Sequence, residues 1–167
     1  IDDLRAEALI DPDIETESLR NLIVTPFRDA ETTALATTLT AALARMPALP
    51  GKFGFALDTG PRPVLTGASV DIRVERASSG QLILRPEGHR LGQPVTDLAA
   101  DAIAMADWFV AHGGVTDGRG RMAALVARGT IPPGCTLVPA EPLSTPGPGL
   151  HKDGALVALA FGQMRAE

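Results

Sequence analysis

Four segments of the chain carry apolar residues at every third or fourth position, the spacing at which side chains share one face of an α-helix. The two longest stripes predict amphipathic helices that each bury one face. Asp29 and Asp97 precede these stripes, where an N-capping side chain is expected. The two shorter stripes predict short helices. The predicted helices span residues 2–10, 31–46, 98–112 and 119–128.

Patterns typical of β-strands lie between these helices. Residues 21–25 are rich in β-branched and apolar side chains and apolar enough for a central strand, and residues 52–58 alternate between large apolar and small or polar side chains. Residues 70–76 alternate between apolar and charged side chains and predict a half-exposed strand, which residues 81–85 join through a hairpin. We therefore predict an α+β fold, in which a mixed or antiparallel sheet carries the helices on one face.

The composition of the chain changes after Gly114. Residues 130–148 are rich in proline and glycine, as in a linker that lies over a surface, and residues 155–161 predict one more strand. That strand either pairs back onto the main sheet or belongs to another half of the protein. We expect an α+β domain over residues 1–114, a helix and linker over residues 115–148, and the start of another half domain over residues 149–167.

The overall composition restricts the classes of function. The chain has 167 residues, of which 45% are apolar, enough for one domain with a proper core. Its apolar runs fall far short of the roughly 20 residues that cross a bilayer. A net charge of −5 without a basic cluster does not suit nucleic-acid binding. We expect a cytoplasmic protein with neither a membrane nor a nucleic-acid partner and, since it begins without Met or a secretory signal, a fragment.

Conventional catalytic motifs and metal-ligand spacings do not occur in the sequence. The three histidines lie far apart, so we expect solvated loop histidines and assign no metal ligands. Cys135 is the single cysteine, which excludes an internal disulfide and a cluster held by several cysteines of this chain. The sequence around Cys135 shows no base or helix end that would activate its thiol, so we expect it to be inert.

The most informative feature is a cation at the opening of two predicted strands. Arg20 precedes the first strand and Lys52 begins the second, and each side chain can lean over the edge of the sheet without entering the core. Gly54 and Ala56 share the face of Lys52 and would leave a flat surface for a large planar ligand. The same residues also fit two solvated cations and a glycine bulge, so both interpretations stay open at this point.

The sequence phrases around these cations resemble a known family. Residues 20–26 read RNLIVTP and residues 49–58 read LPGKFGFALD, which is similar to the two strand openings of nitrite and sulfite reductases. Within that superfamily the second phrase is most similar to the precorrin-3B synthase family. Residues 148–162 resemble the opening of the ferredoxin-like half domain that begins the second repeat of these enzymes.

The resemblance implies a two-repeat enzyme whose ferredoxin-like and α+β halves surround a cleft the size of a tetrapyrrole. It places Arg20 and Lys52 in that cleft, where they would hold substrate carboxylates or stabilise negative charge. Asn21, Thr25 and Gly54 are further candidate substrate-binding residues, and the catalytic residues stay unassigned. The reductases commonly carry a second lysine where this chain has Gly54, which argues against anion reduction.

The implied activity is that of an oxygen-dependent monooxygenase that converts precorrin-3A to precorrin-3B in cobalamin biosynthesis. The full-length enzyme would need an iron–sulfur cluster, with non-haem iron as a further candidate, together with dioxygen, an electron donor and the precorrin substrate. This chain would bind no cluster and would be inactive alone. The alternatives are a fragment of a siroheme nitrite or sulfite reductase and a noncatalytic module that binds a tetrapyrrole or scaffolds a partner.

Overall fold

The structure is a computed structural model, and it describes residues 21–143, 148–151 and 154–157. The helix predicted over residues 2–10 and the candidate site residue Arg20 lie outside these ranges. The described strands are β1 (Leu22–Val24), β2 (Phe55–Asp58), β3 (Ile72–Arg76), β4 (Leu82–Pro86), β5 (Gln93–Pro94), β6 (Gly149–His151) and β7 (Gly154–Leu156). The described helices are α1 (Ala30–Leu43), α2 (Leu98–Ala111) and α3 (Met122–Ala127).

The first five strands form one mixed sheet in the order β1-β2-β3-β4-β5. β1, β2 and β3 run parallel to one another, whereas β4 pairs antiparallel with both β3 and β5. Helix α1 connects β1 to β2, and a loop over residues 59–71 returns the chain to the start of β3. The predicted α+β fold with a mixed sheet is therefore confirmed. Strand β5 was not predicted, because two residues are too few to form a hydrophobic pattern.

One face of this sheet, together with the helices, forms the hydrophobic core. Its side chains are almost completely buried, and they pack against α1, α2 and α3. The expectation that the helices pack on one face of the sheet is thereby confirmed. The core residues of the sheet are Phe55, Leu57, Ile72, Val74 and Leu84, and those of the helices include Leu39, Leu43, Ala102, Met105, Phe109, Met122 and Leu125.

Both predicted N-caps hold the long helices. The Asp29 carboxylate accepts a hydrogen bond from the Thr32 backbone N–H at 2.8 Å, and that of Asp97 accepts one from Ala100 N–H at 3.1 Å. These bonds satisfy amide donors that have no acceptor within the first turn of a helix. α1 and α2 have 14 residues each. Within the described ranges, no helix is long and apolar enough to cross a membrane.

On the opposite face of the sheet, the prediction that β3 is half-exposed is wrong. Asp71, Arg73 and Glu75 are 0%, 4% and 1% exposed. Loops cover this face, and ion pairs satisfy the charges beneath them. The Arg73 guanidinium, for example, donates to backbone carbonyls of the loop that follows β2, at 2.8 to 3.3 Å. Alternation of apolar and charged residues therefore reflected two different buried environments rather than one buried and one exposed face.

The proline-rich segment also lies against this domain. Ser78 N–H donates to the Val138 carbonyl at 2.8 Å, and Ala140 N–H donates to the Arg76 carbonyl at 2.9 Å. Further along, Leu143 N–H donates to the carbonyl of Pro63 at 2.9 Å. Residues 138–143 are thus held by backbone hydrogen bonds to the end of β3 and to the loop that follows β2.

The strand predicted from residue 155 onwards begins inside a separate hairpin. β6 and β7 pair antiparallel with each other, with Leu150 opposite Ala155, and they form a sheet of their own. The described part of this strand therefore pairs with β6, the segment before it in the chain, and not with the main sheet. Residues 158–161 lie outside the described ranges.

Candidate functional site

The edge at which the parallel strands begin holds the candidate site. Because β1, β2 and β3 run in the same direction, the residues that precede them lie side by side at one edge of the sheet. The loop over residues 114–121, which leads from α2 to α3, faces this edge across a cleft of about 700 Å³. The cleft is lined by Pro50, Gly51, Lys52, Gly118, Arg119, Gly120, Arg121 and Ala124.

A tight turn forms the tip of this loop. Thr116 N–H donates to the Arg119 carbonyl at 2.8 Å, and Arg119 N–H donates back to the Thr116 carbonyl at 2.9 Å. The two central residues, Asp117 and Gly118, have φ angles of 50° and 70°. Positive φ at both positions is the property of a type I′ turn, for which Asp-Gly is a preferred pair. The turn presents Arg119 at the rim of the cleft.

Two glycines allow the base of the loop to pack closely against the core. Gly114 N–H donates to the Phe109 carbonyl at 2.9 Å, which ends α2. A Cβ atom on Gly120 would lie 1.8 Å from the carbonyl oxygen of Gly114, and one on Gly114 would lie 2.3 Å from the Phe109 ring. A side chain at either position would therefore clash with backbone or core atoms. The loop has its observed path because both residues are glycine.

A buried carboxylate joins the loop to the strand openings. Asp71 is fully buried, and its Oδ2 accepts a hydrogen bond from Gly54 N–H at 3.0 Å. Its Oδ1 accepts bonds from Met122 N–H at 2.8 Å and from Arg121 Nε at 3.0 Å. Burial raises the pKa of the Asp71 carboxyl above its ordinary value, although the bonds from Met122, Gly54 and Arg121 act to lower it.

The Arg121 guanidinium spans the two walls of the cleft. In addition to its bond with Asp71, its Nη1 donates to the Lys52 carbonyl at 3.1 Å. Its Nη2 donates to Ser69 Oγ and to the Val70 carbonyl, both at 3.2 Å. Arg121 belongs to the loop, whereas the groups that accept its hydrogen bonds belong to the strand openings. The side chain therefore connects one wall of the cleft to the other.

Two other cations at the cleft are available to a ligand. Lys52 and Arg119 are exposed, and neither side chain has a hydrogen-bond or ion-pair partner within the described part of the chain. Lys52 lies on the wall formed by the strand openings, and Arg119 lies on the wall formed by the loop. Uncompensated cations on both walls suit a ligand with anionic groups, which can form charge-assisted hydrogen bonds with them.

The surface expected beside Lys52 is not open to a planar ligand. Gly54 is buried, and Ala56 is 1% exposed. A Cβ on Gly54 would lie 3.3 Å from the backbone oxygen of Asn21, so the glycine allows β1 and β2 to approach each other closely. Gly54 therefore acts through its backbone, which bonds to Asp71.

The other predicted site residues lie in different places. Asn21 is half-buried beside the cleft, where its Nδ2 donates to the Gly51 carbonyl at 3.1 Å and shapes the wall. Thr25 is buried at the opposite end of β1, and its Oγ1 accepts a hydrogen bond from Phe27 N–H at 3.4 Å. The structure thus brings Lys52, Asn21 and Gly54 to one edge of the sheet and leaves Thr25 at the other.

Sequence reasoning missed three residues of this site: Asp71, Arg119 and Arg121. The Asp-Gly pair before Arg119 is a recognisable signal for a tight turn, and two arginines beside it could have marked the loop as cationic. The link to Asp71, 50 residues away in the sequence, has no local signal. Asp71 looked like an exposed polar position of an alternating strand.

The residues present do not fit the implied iron–sulfur cluster. Such clusters are normally held by several thiolates, and this chain has one cysteine. Cys135 is half-buried, and burial raises the pKa of its thiol, which opposes formation of the thiolate. Among the described residues, no group of three or more His, Cys, Asp or Glu side chains could hold a metal ion. Any cluster would need ligands from outside this chain.

Comparison with known proteins adds no relative. No family model, no curated protein and no solved structure matches the chain. The resemblance to the precorrin-3B synthase family therefore stays a prediction.

Proposed function

We propose that this chain supplies an anion-binding wall of a tetrapyrrole-converting enzyme of the precorrin-3B synthase type. Lys52 and Arg119 would hold carboxylates at the rim of the tetrapyrrole. The observation that supports this proposal is a pair of exposed cations on opposite walls of one cleft, neither of which has an anionic partner among the described residues. The cleft volume of about 700 Å³ lies within the range of small-molecule pockets.

The chemistry of the two cations suits ring carboxylates. Arginine presents a planar fork that can bind a carboxylate through two parallel hydrogen bonds, whereas lysine supplies a compact charge on a flexible stem. The remaining walls are made largely of Pro50, Gly51, Gly118 and Gly120, which project little side-chain volume into the cleft. A broad, flat molecule with acidic groups at its edge is the kind of ligand that such a cleft accommodates.

The chemical step belongs to the rest of the enzyme in this proposal. The resemblance supports an oxygen-dependent conversion of precorrin-3A to precorrin-3B in the cytoplasm, with an iron–sulfur cluster and an electron donor supplied outside this chain. The residues of this chain would bind and orient the substrate. A corrinoid precursor carries peripheral carboxylates, which are the groups that Lys52 and Arg119 would recognise.

A titration with uroporphyrin, a porphyrin with carboxylates around its rim, tests the proposal on the whole 167-residue chain. We expect Lys52→Ala and Arg119→Ala each to weaken binding about 10- to 100-fold, because each removes a charge-assisted contact of about 1.5–3 kcal/mol. The absorbance of the porphyrin reports binding. The unfolding temperature should barely change, since both side chains are exposed.

Arg45→Ala is the matched control. Arg45 is an exposed cation just after α1 and does not line the cleft, so its removal lowers the net charge equally without touching the site. If Lys52→Ala and Arg119→Ala bound uroporphyrin as tightly as the Arg45→Ala control, the two cations would be merely solvated and the proposal would be wrong.

A further inference from the structure

We infer that Arg121 is a positioning residue, which, through Asp71, fixes the separation of Lys52 and Arg119 across the cleft. Arg121 lines the cleft as they do, but it is not a third ligand-binding cation. The ligand-binding part of this inference rests on the proposed function. The positioning part concerns the protein alone.

The hydrogen-bond donors of Arg121 are already in use. A guanidinium has five N–H groups, and those of Arg121 donate to Asp71, the Lys52 carbonyl, Ser69 Oγ and the Val70 carbonyl. One N–H group is left for any ligand. A bidentate contact with a carboxylate needs two, so Arg121 cannot form it without releasing a bond within the protein.

The charge of Arg121 is also compensated. Its Nε lies 3.0 Å from Oδ1 of Asp71, and this carboxylate is fully buried. An anionic ligand at the cleft therefore meets an ion pair at this position. Lys52 and Arg119, in contrast, have no anionic partner within the described ranges.

The position of Arg121 in the chain explains how it sets the separation. It lies two residues after Arg119 on the same short loop, and its side chain holds the backbone oxygen of Lys52 itself. Asp71 reinforces this link, because it also holds the amides of Gly54 and Met122. Lys52 and Arg119 are therefore connected through a few short contacts. A site of this kind favours ligands with two anionic groups at a fixed spacing.

Hydrogen exchange of the free protein tests the positioning role without any ligand. We expect Arg121→Gln to accelerate amide exchange in residues 50–54 and 117–122 together, by about tenfold, because each wall loses its tie to the other. Residues 81–86 in the β3–β4 hairpin should exchange as before. Unchanged exchange on either wall would overturn the inference, whatever the protein binds.

A double-mutant cycle with uroporphyrin tests how Arg121 acts on binding. Arg121→Gln should weaken binding about tenfold in the wild-type background and less than about twofold when Lys52 and Arg119 are already alanine. Arg121→Lys keeps the charge but loses the planar fork, so it should weaken binding as much as Arg121→Gln. Additive losses, or full rescue by lysine, would make Arg121 a direct contact and refute the inference.

If Lys52→Ala and Arg119→Ala left binding unchanged, the proposed function would be wrong, while the hydrogen-exchange experiment would still decide whether Arg121 is a positioning residue.

Discussion

In the central strands β2 and β3, the two faces of the sheet are buried to a similar degree but carry different kinds of side chain. The face covered by helices carries apolar side chains such as Leu57 and Val74, each 0% exposed. The face covered by loops carries Asp58, Arg73 and Glu75, none more than 4% exposed. Apolar packing requires only shape and volume, whereas each buried charge requires a partner in the correct direction. The loop-covered face is therefore the part of the fold that depends most on individual side chains.

Ion pairs and backbone amides supply those partners on the loop-covered face. Arg73 and Arg85 lie opposite each other in the β3–β4 pair, and each turns to a different carboxylate, Glu87 and Glu75 respectively. Asp58 Oδ2 accepts hydrogen bonds from two loop amides at 2.6 and 2.7 Å. Its Oδ1 is buried without a partner among the described residues. The face thus combines well-paired charges with one carboxylate that is only half satisfied.

The largest effect should come from breaking one of these pairs. Glu75→Ala removes the carboxylate that Arg85 contacts through two hydrogen bonds, so the guanidinium, whose side chain is only 16% exposed, is left without its counter-charge. We expect a loss of about 3–5 kcal/mol in the free energy of unfolding. Urea denaturation measures it. A loss below about 1 kcal/mol would show that water reaches Arg85 and that the loop-covered face is not dry.

Replacing both Glu75 and Arg85 by apolar side chains tests whether the loop-covered face needs the ion pair itself or only needs to avoid an unpaired charge. Glu75→Leu combined with Arg85→Met removes both charges and keeps much of the volume. We expect this double variant to lose at least about 2 kcal/mol less than Glu75→Ala, because no unpaired charge stays behind. If the double variant were as unstable as the single one, the geometry of the ion pair itself would be essential to this face.

The glycine loop of the candidate site should respond to added volume. In Gly120→Ala the new methyl group would overlap the Gly114 carbonyl, so the loop must shift. We expect a loss of about 1–3 kcal/mol in unfolding free energy, together with weaker uroporphyrin binding. Gly67→Ala is the matched control, since a methyl group there would meet no atom within 4 Å. Equal stability of the two variants would contradict the tight contact between loop and core.

The sequence predicted the helix-covered face well because its information is local. A stripe of apolar residues such as Leu39 and Phe109 has one periodicity, and each stripe must be buried somewhere. Alternation along residues 52–58 likewise predicted that Lys52 lies at the edge of the sheet. Alternation gave the wrong environment for Asp71 and Glu75, because it cannot distinguish a solvent-exposed face from a face that loops cover. The arginines that pair with these buried carboxylates lie 50 residues away from Asp71 and ten residues away from Glu75. The periodicity of a single strand gives no information about partners at such separations.

The smallest expected effect is a difference in pH dependence between the two sides of the sheet. At the start of α1, hydrogen bonds from the Thr32 backbone and hydroxyl lower the pKa of Asp29 below its ordinary value of 3.8. On the loop-covered side, burial raises the pKa of Asp71 above the same value. A lowered folded-state pKa stabilises the protein above 3.8, and this stabilisation disappears as the pH falls through the folded value. A raised pKa has the opposite effect: its stabilisation is complete below 3.8 and disappears as the pH rises through the folded value.

Asn substitutions at these two positions should therefore give opposite trends. Asn does not titrate, so the pH dependence of each difference comes from the wild-type carboxyl together with the hydrogen bonds that it accepts. Between about pH 2.5 and pH 7, the difference in unfolding free energy between wild type and Asp29→Asn should increase with pH, whereas that for Asp71→Asn should decrease. Urea denaturation across this range measures both slopes. If the Asp71 difference instead increased with pH, the hydrogen bonds from Gly54, Met122 and Arg121 would outweigh burial. The pKa of Asp71, which joins the two walls of the cleft, would then lie below 3.8 in the folded protein.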